Sequence, residues 1–257
     1  MAKTKIELRA IHKSFGKEHV LRGLDVIVEE GESMVIIGGS GTGKSVTLKL
    51  ICGLFWPDTG KVFFEGEDIT NTPELEMPKY RIKMGMLFQS AALFDSLPVW
   101  ENIAFGILEH DMMTMSEAKD RVENVLNTVG LPGIQNKMPS DLSGGMRKRV
   151  GLARAIAMGP EVMLYDEPTT GLDPIMSDVI NKLIINTNEK LGVTSISVTH
   201  DLKSAAKIAD RIVMLHKGKI VAQGTPDEIM NSEDPLVRQF VRGEAEGPFT
   251  AEVNSQA

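Results

Sequence analysis

The stretch GGSGTGKS, residues 38–45, largely determines the predicted fold of this chain. It fits the spacing G-x-x-x-x-G-K-[ST] and lies between the apolar run SMVIIG and the helix-forming run KSVTLKLICGL. In such a loop the glycines let backbone N–H groups point at phosphate oxygens, and the N-terminus of the following helix favours negative charge. The spacing predicts a strand, a phosphate-binding loop and a helix, with Lys44 at the β- and γ-phosphates and Ser45 on Mg²⁺. The loop alone does not separate an ATPase from a GTPase, a kinase or a motor.

Short apolar runs alternate with helical patterns along the 257 residues, and this alternation predicts an α/β sheet protein. Most of the runs are unbroken by polar residues, which is typical of strands covered on both faces. The candidate strands are residues 33–38, 61–66, 162–166, 194–200, 211–215 and 219–224.

The pattern becomes helical in the middle of the chain. The run SEAKDRVENVLNTVG predicts a helix that has Ser116 as its N-cap and stops at Gly130. We therefore predict a helical subdomain of about residues 90–159, inserted in a domain of residues 1–242 and followed by a polar C-terminal tail of residues 243–257.

Composition narrows the class of protein. A net charge of -7 argues against nucleic-acid binding, and 42% hydrophobic with 25% charged residues is ordinary for a soluble domain. The start MAKTKIELRA has no apolar segment of signal-peptide length and no run approaches a membrane span, so we expect a cytoplasmic location. The single cysteine, Cys52, excludes an internal disulfide or a zinc site built from several thiolates, and we interpret it as a small buried helix residue.

Two consecutive acids follow the apolar run VMLY. In a nucleotide site Asp166 suits the second-sphere contact to Mg²⁺, and Glu167 suits a base that orients and polarises the attacking water. Strand alternation would point the two side chains to different sides. In isolation, an acid at a strand end that caps the next helix is the simpler explanation.

Several further positions have both a structural and a functional interpretation. Asp173 before Pro174 fits an N-cap and first helical residue. His200 comes just beyond an apolar strand, the usual exit toward a site in parallel sheets, but a lone histidine is more often structural or merely exposed. Gln89 has the simple interpretation of a loop amide, and Phe15 that of a core aromatic.

The segment DLSGGMRKR, residues 141–149, begins what looks like a helix. Its serine and two glycines fit either an ordinary helix entry or a helix N-terminus presented to phosphate, which would be a second anion cradle in one chain. The three cations Arg147, Lys148 and Arg149 are most simply a solvated helix face.

In this order, the phosphate loop, Gln89, LSGGM, LYDEP, GLD and His200 resemble the ATP-binding cassette (ABC) family over residues from about 5 to 230. The resemblance implies a P-loop NTPase fold, namely an ABC nucleotide-binding domain with an inserted α-helical subdomain. It also implies a head-to-tail homodimer in which each ATP is held by the phosphate loop of one chain and by Ser143, Gly144 and Gly145 of the other.

The family's roles carry over to matching residues. The resemblance implies that Phe15 stacks on adenine, that Asp173 couples the two sites, and that Mg²⁺ is held by Ser45 and Gln89 with Asp166 nearby. It implies that Glu167 is the catalytic base and that Lys44, Gln89 and His200 complete the catalytic set. The ATP-contacting positions are Phe15, Gly38, Gly39, Ser40, Gly41, Thr42, Gly43, Lys44, Ser45, Thr47, Ser143, Gly144, Gly145 and Asp173.

Three segments are similar to the ATPase subunit of Mla-type (maintenance of lipid asymmetry) phospholipid transporters: LFQSAALFDSLPVWENIAFGI, LSGGM and PLVRQFVRGEAEGPF. Most ABC signatures end in glutamine, and this group commonly has methionine, as at Met146. The similarity implies a subunit on the cytoplasmic face of the bacterial inner membrane. Its implied partners are permease subunits, an MCE-domain protein and, in many systems, a STAS-domain protein. A permease helix would enter the cleft near residues 89–102, and the tail would serve the dimer or the small partner.

Other classes of function stay open at this point. An ATPase for an amino acid or another small solute shares the fold. A chromosome or translation ATPase is disfavoured, because the chain has no sustained heptads, no second phosphate loop and an acidic balance. A regulatory module without hydrolysis is disfavoured by the complete set of Lys44, Asp166, Glu167 and His200.

Overall fold

The computed structural model describes residues 3–250, which form two compact units. Unit 1 comprises the described residues up to Asn71 and those from Val198 onward, and unit 2 comprises Thr72–Ser197. Within residues 3–250, no helix is long and apolar enough to cross a membrane. Residues 251–257 of the predicted tail lie outside the described range, so the tail and the domain boundaries stay predictions.

Unit 1 begins with an antiparallel sheet in the order β2-β1-β4-β5. Its strands are β1 (Thr4–Phe15), β2 (Glu18–Glu29), β4 (Thr59–Phe64) and β5 (Glu67–Asp68). Buried and exposed residues alternate along much of β2, as expected where one face packs on a core and the other faces water.

The rest of unit 1 carries the phosphate loop. Strand β3 (Ser33–Ile37) pairs parallel to β9 (Arg211–His216), which pairs antiparallel to β10 (Lys219–Gly224). The loop runs from β3 into helix α1 (Lys44–Ile51), so the predicted strand, loop and helix are confirmed. The remaining helices of this unit are α7 (Leu202–Ile208), α8 (Pro226–Met230) and α9 (Pro235–Arg242).

Unit 2 is mostly helical. Its helices are α2 (Pro78–Arg81), α3 (Val99–Glu109), α4 (Met115–Thr128), a short 3-10 helix (Pro139–Asp141), α5 (Gly144–Ala157) and α6 (Pro174–Leu191). Strand β6 (Met84–Leu87) pairs parallel to the fully buried β7 (Val162–Asp166). Strand β8 (Thr194–Thr199) lies beside β7 and contains the boundary between the units.

One expectation about these elements was wrong. The N-cap of α4 is Thr114 rather than Ser116, because Thr114 and Glu117 form a reciprocal capping box that satisfies the first free N–H groups. Most of the candidate strands are buried almost throughout, as predicted, namely β3, β7, β8 and β9. Strands β4 and β10 differ, because both contain exposed residues along their length. The predicted stop at Gly130 is confirmed by its left-handed φ of +67° just after α4.

Candidate functional site

The phosphate loop of unit 1 has a backbone that only glycine fits at two positions. Gly38 has a φ of +151°, and a Cβ there would lie 2.2 Å from the carbonyl oxygen of Leu215. Gly43 has a φ of +103°, and its Cβ would lie 2.6 Å from Leu21 Cδ2. Glycine is therefore required at both positions by the close neighbouring atoms as well as by the backbone conformation.

The Lys44 side chain is buried and fixed by the loop itself. Its Nζ donates to the carbonyl oxygens of Gly38 and Gly39, each at 2.9 Å, and Thr42 Oγ1 donates to Gly39 O at 2.9 Å. Gly39 O therefore accepts two hydrogen bonds. One comes from the lysine itself, and the other, from Thr42, holds the carbonyl group that the lysine binds. The hydroxyl of Thr47 is buried and donates to Gly43 O at 3.0 Å.

A cavity of about 240 Å³ opens beside this loop in unit 1. Phe15 lines it and is 44% exposed, so the interpretation of Phe15 as a core aromatic is wrong. Its ring meets Phe55 edge-on at 5.3 Å, and Lys13 Nζ lies 5.4 Å from its centroid. The cavity is lined by Phe15, Glu18, Val20, Gly41, Gly43, Lys44, Ser45 and Val46. A partly exposed aromatic ring beside a phosphate loop can stack on a base.

Three other predicted residues of unit 1 lie at its surface. Ser40 and Gly41 are exposed at the turn of the loop, and His200 is exposed immediately after β8.

The paired carboxylates of unit 2 are both buried. Asp166 ends β7, and Glu167 has a left-handed φ of +48°, so strand alternation stops at Asp166 and does not describe where Glu167 points. Left-handed backbone is costly for a residue with a Cβ and is found where surroundings impose it. Thr170 Oγ1 donates to Glu167 Oε2 at 2.9 Å, which holds the carboxylate.

Lys148 of α5 supports this unusual backbone. It is 5% exposed, and its Nζ donates to the Glu167 carbonyl oxygen at 3.0 Å. Burial lowers the pKa of the Lys148 ammonium, while the negative charges of Asp166 and Glu167 oppose that shift. The arrangement links the helix that begins at the LSGG motif to the strand end that carries both acids.

The cationic stretch in α5 is a solvated face only at Arg147, which is exposed, because Lys148 is buried and Arg149 is half-buried. Arg147 Nη1 donates to Leu142 O at 2.6 Å, and Arg149 Nη1 donates to Gly130 O at 3.2 Å. All three side chains bind carbonyl oxygens, which a charge pattern cannot reveal.

The LSGGM motif forms the start of α5. Ser143 is its N-cap and accepts a bond from Met146 N at 3.3 Å, while Gly144 is exposed and open. Gly145 is different, because a Cβ there would lie 2.7 Å from Met176 Cε on α6. Asp173 caps α6 by accepting from Ile175 N and Met176 N, so its structural interpretation is confirmed.

Gln89 is exposed in the turn after β6, as the loop-amide interpretation predicts. The segment that follows is ordered by Asn102 of α3, which is fully buried. Its amide exchanges two bonds with the Phe94 backbone and donates to Leu97 O and Pro98 O. The sequence gives no signal for Asn102 beyond a polar residue on an otherwise apolar helix face.

A phosphate loop combined with a strand that ends in paired acids defines a nucleotide-hydrolysing P-loop protein. The profile described as ABC transporter matches residues 21–170, more than half of the chain, so the chain belongs to the ABC transporter family. It is therefore an ATP-binding, ATP-hydrolysing protein.

Two relatives and one solved structure illustrate the similarity. The intermembrane phospholipid transport system ATP-binding protein MlaF of Haemophilus influenzae is 41% identical over 243 residues, 95% of this chain and 92% of that protein. The probable ribonucleotide transport ATP-binding protein mkl of Mycobacterium leprae is 39% identical over 244 residues, 95% of this chain and 70% of that protein. A dimeric ATP-binding cassette in a post-hydrolysis state with ADP and Pi matches with a TM-score of 0.80 and 30% identity, over 86% of this chain and 98% of that one.

Proposed function

We propose that this chain is the ATPase subunit of a phospholipid transporter and works as a homodimer on the cytoplasmic face of the bacterial inner membrane. The observation that carries the proposal is the similarity to MlaF, which extends over nearly the whole length of both chains. Met146 and the segment after Gln89 support the same branch, because they match the Mla-type pattern. The proposed partners are permease subunits, an MCE-domain protein and, where it occurs, a STAS-domain protein.

The proposed ATP site is completed by a second copy of the chain. Phe15 stacks on adenine, and the loop from Gly38 to Ser45, together with Thr47, holds the phosphates. The LSGG residues Ser143, Gly144 and Gly145 of the second copy complete the site, and Asp173 couples the two sites. The dimeric cassette with ADP and Pi supports a two-chain arrangement.

Mg²⁺ fits the donors that this family uses. No group of three or more His, Cys, Asp or Glu side chains in residues 3–250 forms a metal cage by itself. Mg²⁺ does not need one, because it keeps several waters and binds one or two protein oxygens together with nucleotide phosphates. The Ser45 hydroxyl and the Gln89 amide oxygen are such donors, with Asp166 in the second sphere. When bound, the ion neutralises negative charge on the phosphates.

The remaining steps belong to the chain's own side chains. The Lys44 ammonium, fixed by two loop carbonyls, presents positive charge to the β- and γ-phosphates. The Glu167 carboxylate orients the attacking water and accepts its proton, and Thr170 keeps one carboxylate oxygen in place. His200 contacts the γ-phosphate, and Gln89, a proposed Mg²⁺ ligand, begins the segment that receives the permease helix.

Site variants test the ATPase assignment. Lys44→Ala abolishes hydrolysis, while Glu167→Gln binds ATP, blocks turnover and traps a dimer on size-exclusion chromatography. Lys182→Ala, at an exposed lysine paired with Asp178 on α6, serves as the matched control and keeps wild-type turnover. Unchanged hydrolysis in Lys44→Ala would refute the site.

Co-purification tests the lipid assignment separately. A tagged full-length chain should retain a permease and an MCE-domain protein, and the complex in liposomes should move a fluorescent phospholipid only with ATP. The second candidate is a small-solute transporter, favoured by the similarity to mkl. Recovery of a solute-import permease without an MCE-domain protein would establish that candidate and reject the lipid proposal.

A further inference from the structure

The C-terminal segment of unit 1 packs directly on the phosphate loop. Residues 244–250 follow helix α9 and return toward Gly39, where the ring of Phe249 lies. Neither the phosphate-binding role of the loop nor the proposed transport function explains this contact. It is built from three parts: a polar clamp, an aromatic stack and a glycine.

The polar clamp is Gln239 on α9, which is 2% exposed. Its Nε2 donates to Glu244 O at 3.1 Å and to Thr250 Oγ1 at 3.0 Å, and its Oε1 accepts from Phe249 N at 2.5 Å. Gly247 has a φ of +153°, and a Cβ there would lie 2.6 Å from Gln239 Oε1. One buried amide thus fixes both ends of the segment, and a glycine permits the close approach.

The aromatic stack orients the Phe249 side chain. Its ring centroid lies 4.5 Å from that of His216 at the end of β9 and 5.2 Å from that of Phe240 on α9. Both spacings lie in the range of favourable aromatic pairs. The Phe249 ring is therefore held by two aromatic neighbours in addition to its contact with the loop.

Gly39 receives the ring. A Cβ at this position would lie 3.1 Å from Phe249 Cζ, closer than ordinary van der Waals contact. Gly39 is absent from the residues with positive φ, so its backbone conformation does not require glycine. The ring therefore supplies a physical reason for glycine at residue 39, independent of phosphate binding.

The peptide group of Gly39 connects the Phe249 ring contact to Lys44. Gly39 O accepts from both Lys44 Nζ and Thr42 Oγ1. We propose that Phe249 is a positioning residue for ATP binding: the segment 244–250 presses the ring against Gly39 and so fixes the carbonyl that holds Lys44.

The first test removes the ring. In the full-length chain, Phe249→Ala is expected to raise the Kd for ADP and the KM for ATP about five-fold, the effect of losing aromatic contacts of ~1 kcal/mol. The kcat should stay within about two-fold, because the acids of unit 2 are untouched. Phe249→Leu restores part of the affinity, and Leu75→Ala, at a side chain 95% exposed, is the surface control. A drop in melting temperature with unchanged nucleotide affinity would overturn the proposal.

The decisive test is a double-mutant cycle with Gly39→Ala. In the wild-type background the added methyl meets the ring and raises the Kd for ADP, whereas in Phe249→Ala it finds space and costs little. A Gly39→Ala penalty that is equal in both backgrounds would overturn the proposal, since the glycine would then serve phosphate alone. ADP binding is read by calorimetry and needs no transport partner, so failure here is distinguishable from failure of the lipid assignment.

Discussion

Replacing Lys148 by methionine tests whether the backbone of Glu167 is held by α5. The variant keeps a long apolar side chain but loses the donor to Glu167 O. A hydrogen bond from a charged group contributes about 1.5–3 kcal/mol, and left-handed backbone costs a non-glycine residue about 1–2 kcal/mol. The energy of the lost hydrogen bond is thus about as large as the backbone strain that it offsets. Without this bond we expect Glu167, with a φ of +48°, to leave its left-handed conformation.

A loss of about 2 kcal/mol in the population of the active conformer corresponds to a roughly 30-fold fall in kcat. The Kd for ADP should stay within about two-fold, because the phosphate loop belongs to unit 1. The unfolding midpoint should change little, since methionine also removes the cost of burying an ammonium group.

Steady-state ATP hydrolysis and calorimetric ADP binding by the full-length chain measure both effects. Lys148→Arg keeps a charged donor and should recover much of the turnover, and Lys182→Met is the matched control at an exposed lysine of α6. A kcat for Lys148→Met within two-fold of wild type would show that Glu167 keeps its conformation without the lysine, and the reasoning would fail.

Three stability predictions follow from buried or charged groups. Asn102→Leu removes the side-chain partner of Phe94 N and of Leu97 O, whereas Phe94 O and Pro98 O keep backbone donors. It should lower the free energy of unfolding by about 2–4 kcal/mol in urea titrations, and a loss under ~1 kcal/mol would contradict it. Burial raises the pKa of Tyr165, whose hydroxyl donates to Asn188. Tyr165→Phe should lower the free energy of unfolding by about 1 kcal/mol, which thermal melts can check. It should remove no ionisation below pH 10, which a spectrophotometric titration can check. The side-chain bond from Lys61, followed by that from Thr70, lowers the pKa of Asp68 to about 2, so this carboxylate stabilises the fold above pH ~4 and loses its effect as pH falls toward 2. Because the pair is partly exposed, Asp68→Asn should cost no more than about 1 kcal/mol near pH 7, with the difference from wild type vanishing near pH 2; an equal difference at both pH values would exclude the ion pair as its cause.

The phosphate loop and the strand–acid unit could be predicted from sequence because each depends on neighbouring residues. Gly38 to Ser45 and the run before Asp166 have spacing and apolar continuity that local physics interprets directly. The long strands β1 and β2 were not predicted. Their polar outer face breaks the apolar runs, and register shifts interrupt the alternation.

The contacts of Lys148 and Phe249 could not be predicted from the sequence, for a different reason. The partner of Lys148 is a backbone carbonyl 19 residues away, and a carbonyl oxygen has no sequence signature. Phe249 meets a glycine 210 residues earlier, in a segment whose composition indicates only a polar tail. Hydrogen bonds from side chains to distant backbone groups depend on the tertiary structure, so the periodicity of the sequence does not predict them.

The two LSGG glycines differ as targets for genetics. Alanine at Gly145 would place its Cβ 2.7 Å from Met176 Cε, so the end of that side chain must shift, and a loss of activity there combines a packing change with any effect on the proposed nucleotide contact. Alanine at Gly144 meets nothing nearer than Leu172 Cδ2 at 3.9 Å. Alanine at residue 144 therefore tests the proposed nucleotide contact without a packing change, whereas alanine at residue 145 tests the contact and the packing together.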